Sequence, residues 1–195
     1  LIITMGFVGQ LIGALITPSL LKFVDKRRLM IIMNFVFGAS ILATYFVPID
    51  QYIPTLVLYA IGIFAFGVII TLLFAMYTDC AEYGEWLSGH NSAGLTVWAS
   101  MFALKFGSAV GSAIPGYILA WYAFDKDLVE QTAKTLQGIS ISWNIVPAIF
   151  FFIVMVLMLF YKLDGETMDR VERDLLERRG ESTDEDMDII KHLTE

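Results

Sequence analysis

Five stretches of the sequence lack Asp, Glu, Lys and Arg and are long enough to cross a bilayer: residues 1–21, 29–49, 51–78, 106–124 and 135–161. A run of about 18 such residues is the length of a membrane-spanning helix. The fourth extends back through Lys105 to about Ala93, so spans are expected near 1–21, 29–48, 53–78, 93–123 and 138–161. With 57% hydrophobic and only 17% charged residues, the chain carries more apolar surface than a water-soluble domain of this size can hide. Inside lipid every backbone group must be paired within the protein, which leaves helices or closed barrels. The five segments lack the strict alternation of barrel strands. The expected fold class is all-α, a polytopic membrane helix bundle.

The basic residues orient it. Lys22, Lys26, Arg27 and Arg28 follow the first span, and Lys162, Arg170, Arg173, Arg178, Arg179 and Lys191 follow the fifth. If the spans alternate, these fall on one side, with Lys126 and Lys134 on the other. Basic loops stay cytoplasmic, which predicts an external start for the first span, a cytoplasmic C-terminus and a cytoplasmic connection from Asp79 to about Ser92. The sequence opens on Leu1 within a hydrophobic segment already under way, and no signal peptide is evident. It therefore reads as a fragment.

The net charge of −7 comes mainly from that second cytoplasmic loop and the tail, and no basic face suited to nucleic acid stands out. Cys80 is the single cysteine, which excludes an internal disulfide framework or a multi-cysteine metal site and reads as a partly buried thiol. Residues 1–162 are assigned to the membrane helices and 163–195 to a cytoplasmic tail. Within the tail, Asp164 to Arg179 reads as an amphipathic helix capped by Asp164 and stopped by Gly180. Met168, Val171 and Leu175 share one of its faces, suited to the membrane surface or to the ends of the bundle. Glu181 to Glu195 reads as a mobile acidic end with a short helical turn around Ile189.

Two features carry chemistry. Lys105 stands alone in an apolar helix; at about 1.5 Å per residue it lies roughly 18 Å from Ala93, near the middle of a core about 30 Å thick. A charge at that depth costs about 2.5 to 3.5 kcal/mol on insertion scales, so it reads as a working charge with a partner. The alternative is an amine that merely hydrogen-bonds carbonyls within the bundle. The second feature is the trio Asp79, Glu82 and Glu85, which share a helical flank if the third span continues past the membrane. It reads as a gate pairing with basic groups elsewhere, as a solvated acidic loop, or, with His90, as part of a metal site. Gly107, Gly111, Ser108, Ser112 and Gly116 give the fourth span a small-residue face that allows close helix approach or a cavity, and Pro115 favours a bend. The same holds for Gly6, Gly9, Gly13 and Pro18 in the first span.

Asp79, Glu82, Tyr83, Gly84, Glu85, Trp86 and Gly89, then Lys105, Gly107 and Gly116, and finally Tyr161, Leu163, Leu175, Arg178 and Arg179 resemble the glycoside-pentoside-hexuronide:cation symporters. This is the melibiose-carrier group of the major facilitator superfamily. The resemblance implies a twelve-helix carrier of which these spans match helices eight to twelve, the whole N-terminal half being absent. It implies Lys105 on the substrate and cation pathway, with Asp79, Glu82, Tyr83 and Glu85 at the cytoplasmic gate. Asp25, Lys26, Arg27 and Arg28 then form the turn between helices eight and nine, which latches neighbouring helices. Implied partners are the lipid bilayer, the missing half and a small sugar-like substrate. A coupling cation, sodium or proton, is expected in the full-length protein, with no other cofactor, no metal and no catalytic residue, in the plasma membrane.

Two positions depart from the family. Asn91 stands where members commonly carry an arginine, and Ile70 lies near the aromatic platform of melibiose-type members; Phe66 and Phe74, a turn to either side, read first as core or lipid-facing. Competing functions are a carrier of lipid or another amphipathic solute, a metal-dependent membrane transferase built on Asp79, Glu82, Glu85 and His90, and a sensor on a carrier fold.

Overall fold

A computed structural model describes residues 2–48, 51–125, 131–163 and 165–194, with side chains described from 6 to 180 within them. Leu1, Lys126 and the expected cap Asp164 lie outside the described residues. The elements are α1 (Ile2–Leu20), α2 (Lys26–Phe46), α3 (Tyr52–Ser88), α4 (Ala93–Trp121), α5 (Ala133–Ser140), a π turn (Ile141–Ile145), α6 (Val146–Met158) and α7 (Gly165–Thr194). α5, the π turn and α6 run on as one segment, Ala133–Met158. That segment, α2, α3 and α4 are each long and apolar enough to cross a membrane, and α1 adds the shorter apolar run Gly6–Leu20. No strand occurs among the described residues.

α1 and α2 both pack along α3, and α6 packs along α2. The α1–α3 crossing depends on two glycines. A Cβ at Gly13 would stand 2.3 Å from the Phe64 carbonyl oxygen, and one at Gly67 would stand 2.2 Å from that of Gln10. Without side chains there the backbones touch, which is the contact that small residues permit in lipid. Leu29, Met30, Val68 and Leu72 fill the space between α2 and α3. Phe37 stacks on Phe66 at 5.3 Å and meets the edge of Phe151 at 4.3 Å, tying α2, α3 and α6 together. Buried polar side chains bond back to their own helices: Thr17 donates to the Gly13 carbonyl at 2.8 Å and Asn34 to that of Met30 at 2.8 Å. This spares them an unpaired donor in an apolar setting.

Two helices differ from the sequence expectation. The last span starts at Ala133, five residues early, and contains a π turn just before Pro147. Proline has no N–H to continue the ladder, and the extra residue of a π turn absorbs such a break. There Asn144, itself buried, donates to the Ser140 carbonyl at 2.9 Å. α7 is not stopped by Gly180 but continues to Thr194. A glycine inside a helix costs about 1 kcal/mol, a penalty that a long helical stretch tolerates.

Candidate functional site

At 37 residues, α3 is about 55 Å long against a hydrocarbon core of about 30 Å, so its C-terminal turns extend beyond the membrane-spanning part. Those turns carry Asp79, Cys80, Glu82, Tyr83, Glu85 and Trp86 as one continuous helix, which brings the carboxylates onto a common flank. Gly89 ends it with φ +69°, and its N–H bonds the Glu85 carbonyl at 2.8 Å. That left-handed residue closes the helix and turns the chain toward α4.

The structure separates the three carboxylates. Asp79 is 6% exposed, and both its oxygens accept from Lys26 Nζ, at 2.7 and 2.9 Å. Glu85 is held at the other end, its oxygens 3.0 and 3.1 Å from Arg179 Nη2. Glu82, between them, is half-buried and makes no hydrogen bond or ion pair among the described residues. It lines a cleft of about 440 Å³ together with Asp25, Lys26, Asp79, Asp169 and Glu172. No group of three or more His, Cys, Asp or Glu among the described residues is arranged to hold a metal ion. His90 is exposed, its Nδ1 2.9 Å from the Ser88 carbonyl, so it offers no shared coordination sphere with the acidic flank.

The turn before α2 acts on two neighbours. Arg27 Nε and Nη2 donate to the carbonyls of Met158 and Leu159, at 3.2 and 2.5 Å, the first also accepting the Tyr161 N–H, and the guanidinium opposes the negative end of the α6 dipole. Asp25 makes no cap to its own helix; its Oδ1 accepts the backbone N–H of Gly165, the first residue of α7, at 3.1 Å. Arg28 is exposed. Cys80, expected to be partly buried, is exposed, with Sγ 4.0 Å from the Tyr161 hydroxyl. Burial, followed by the proximity of Cys80 and Asp79, pushes the Tyr161 phenol above its ordinary range, so it stays a neutral hydroxyl.

α7 lies on this end of the bundle. Met168, Val171 and Leu175 are buried against Tyr83, Trp86 and Leu163, each such burial stabilising by about 1.5–3 kcal/mol. Of the two placements open in the sequence, the bundle end is the one observed. Trp86, named in the resemblance without a role, donates from Nε1 to Asp174 Oδ2 at 2.8 Å.

Lys105 stands apart from this cluster. It is exposed midway along α4, a helix with no buried residue, and makes no hydrogen bond or ion pair among the described residues. Among the described residues it has neither the charged partner expected of a working charge nor a bond to a bundle carbonyl. The glycines of the same helix are open too: a Cβ on Gly107, Gly111 or Gly116 would meet nothing within 4 Å. Trp98, Phe102 and Phe106 stack along another exposed line of α4, with ring centroids 5.9 and 6.1 Å apart. Phe66 belongs to the aromatic core and Phe74 is exposed, edge-on to Tyr77 at 6.0 Å. α4 continues through Pro115 as α1 does through Pro18.

A family model described as MFS/sugar transport protein matches residues 1–165. The chain is 28% identical over 179 residues to the glucuronide carrier protein homolog of Escherichia coli (strain K12), which covers 92% of this chain and 39% of that protein. It is 29% identical over 178 residues to the inner membrane symporter YicJ of the same organism, covering 89% and 38%. To the isoprimeverose transporter of Lactiplantibacillus pentosus it is 29% identical over 155 residues, covering 79% and 32%. The chain thus spans no more than 39% of the length of these relatives.

Proposed function

Because the chain belongs to the MFS/sugar transport protein family, we propose that it forms part of a cation-coupled secondary transporter. Its cargo is a sugar, glycoside or hexuronide, moved by alternating access. The printed names of its relatives, a glucuronide carrier homolog and an isoprimeverose transporter among them, support that cargo class. In this reading Lys105 faces a cavity shared with the rest of the carrier. There it pairs with a carboxylate of substrate or protein, or exchanges with the coupling sodium or proton. The observation that carries the reading is a lone ammonium at mid-helix, exposed on a helix of which no described residue is buried.

The acidic end of α3 is the gate on the cytoplasmic side, where the tail also lies. With Asp79 engaged by Lys26 and Glu85 by Arg179, Glu82 is the carboxylate left for a basic group of the other half when that side closes. The substitution Lys105→Ala in the full-length carrier tests the transport role. Gradient-driven sugar accumulation disappears while insertion and expression persist; undiminished accumulation refutes it. A metal-dependent transferase would instead depend on Glu82 and not on Lys105.

A further inference from the structure

We propose that α7 is a strap across the end of the bundle, and that its docking withholds Glu85 from the gate. Four contacts, each joining residues far apart in sequence, define the strap. Asp25 receives the first N–H of α7 at 3.1 Å, anchoring the strap to the start of α2. Asp174 accepts from Trp86 Nε1 at 2.8 Å. Arg178 Nη1 donates to the Trp86 carbonyl at 3.1 Å, in the last turn of α3, where carbonyls lack helical partners. Arg179 takes both oxygens of Glu85. Between the first anchor and the last, Met168, Val171 and Leu175 form one apolar line sealed on Tyr83, Trp86 and Leu163.

The contributions are unequal. Arg179 keeps 57% of its side chain exposed against 17% for Glu85, and a pair so open to water adds little to docking. Burial of Val171 and Leu175, 1% and 4% exposed, supplies the attraction, while the polar contacts set the register. Docking by the apolar line therefore determines whether Arg179 sits on Glu85. Docked, the gate presents Glu82 alone; undocked, it presents Glu82 and Glu85 together to any basic group across the cleft. The strap thus sets how strongly the gate closes, a consequence that rests on the gate reading above.

The test uses the full-length carrier and two readouts, amide hydrogen exchange over residues 168–178 and transport kinetics. Val171→Asp raises exchange there by roughly tenfold or more, because the protected state is the docked one. It also lowers the maximal transport rate several-fold with KM within about twofold, and adding Glu85→Gln returns the rate toward wild type because no carboxylate is then released. Unchanged exchange in Val171→Asp overturns the strap. A rate loss that Glu85→Gln leaves untouched overturns the withholding of Glu85. If Val171→Asp does not fold, Trp86→Phe combined with Arg178→Gln serves, with a smaller rise in exchange expected and the same two refuting results. Exchange is read without transport, so failure of the carrier reading, visible as wild-type protein that accumulates no sugar, stays distinct from failure of the strap.

Discussion

The α1–α3 crossing and the face of α4 are built from the same residue types and end in opposite states. At the crossing, Gly13 and Gly67 each carry a neighbouring backbone where a side chain would be. On α4, Gly107, Gly111 and Gly116 face open space, and Lys105 is exposed on the same helix. Small residues in a membrane helix record a close approach by something. In the first case that something is another helix of this chain. In the second the described residues supply no such neighbour, in a chain that spans 32–39% of the length of the three relatives named above. A glycine face is thus not a fold feature by itself; its meaning depends on what seats against it.

The largest effect is expected where the seam is already filled. Gly67→Val forces atoms into the Gln10 carbonyl and separates α1 from α3, destabilising by about 3 kcal/mol, the upper end for overpacking. Thermal unfolding of the detergent-solubilised chain reads this; an unchanged midpoint would mean the two backbones are not in contact. Lys26→Ala comes next. It leaves the buried Asp79 carboxylate without its cation, which costs about 3–5 kcal/mol where both partners are well buried and less here because Lys26 is 38% exposed. The double variant Lys26→Ala with Asp79→Asn should recover most of that loss, and no recovery would break the pairing. The smallest effect belongs to the open face. Gly111→Ala in the isolated chain should be neutral or stabilising by up to about 1 kcal/mol, the difference in helix propensity. The same substitution in the full-length carrier should impair transport, and equal behaviour in both settings would remove the distinction between the two regions.

Much of the scaffold was legible because uncharged runs of this length have few alternatives in lipid. The three-residue spacing of Asp79, Glu82 and Glu85 left room for α3 to run past residue 78, and it continues to Ser88. The partners of those carboxylates did not. Lys26 lies 53 residues from Asp79, Asp174 lies 88 from Trp86, and Gly165 lies 140 from Asp25. Local pattern carries no information on such separations, which arise only once α2, α3 and α7 are packed. Asp25 shows the point most clearly. It stands immediately before α2 and makes no cap to it, and its carboxylate serves α7 instead. Gly180 escaped for a different reason: a glycine inside a helix costs about 1 kcal/mol, too small to override a helix favoured on both sides.

The position of Lys105 is the claim on which the transport reading turns. A cysteine placed at residue 105 of the full-length carrier, in a background without Cys80 or other cysteines, reports it directly through its reaction with a membrane-impermeant maleimide. A residue lining a water-filled pathway is labelled, and labelling slows when a transported sugar occupies the cavity. A residue turned to hydrocarbon or sealed in protein stays unlabelled under conditions that label an exposed position such as Ser88, and that result would contradict the assignment.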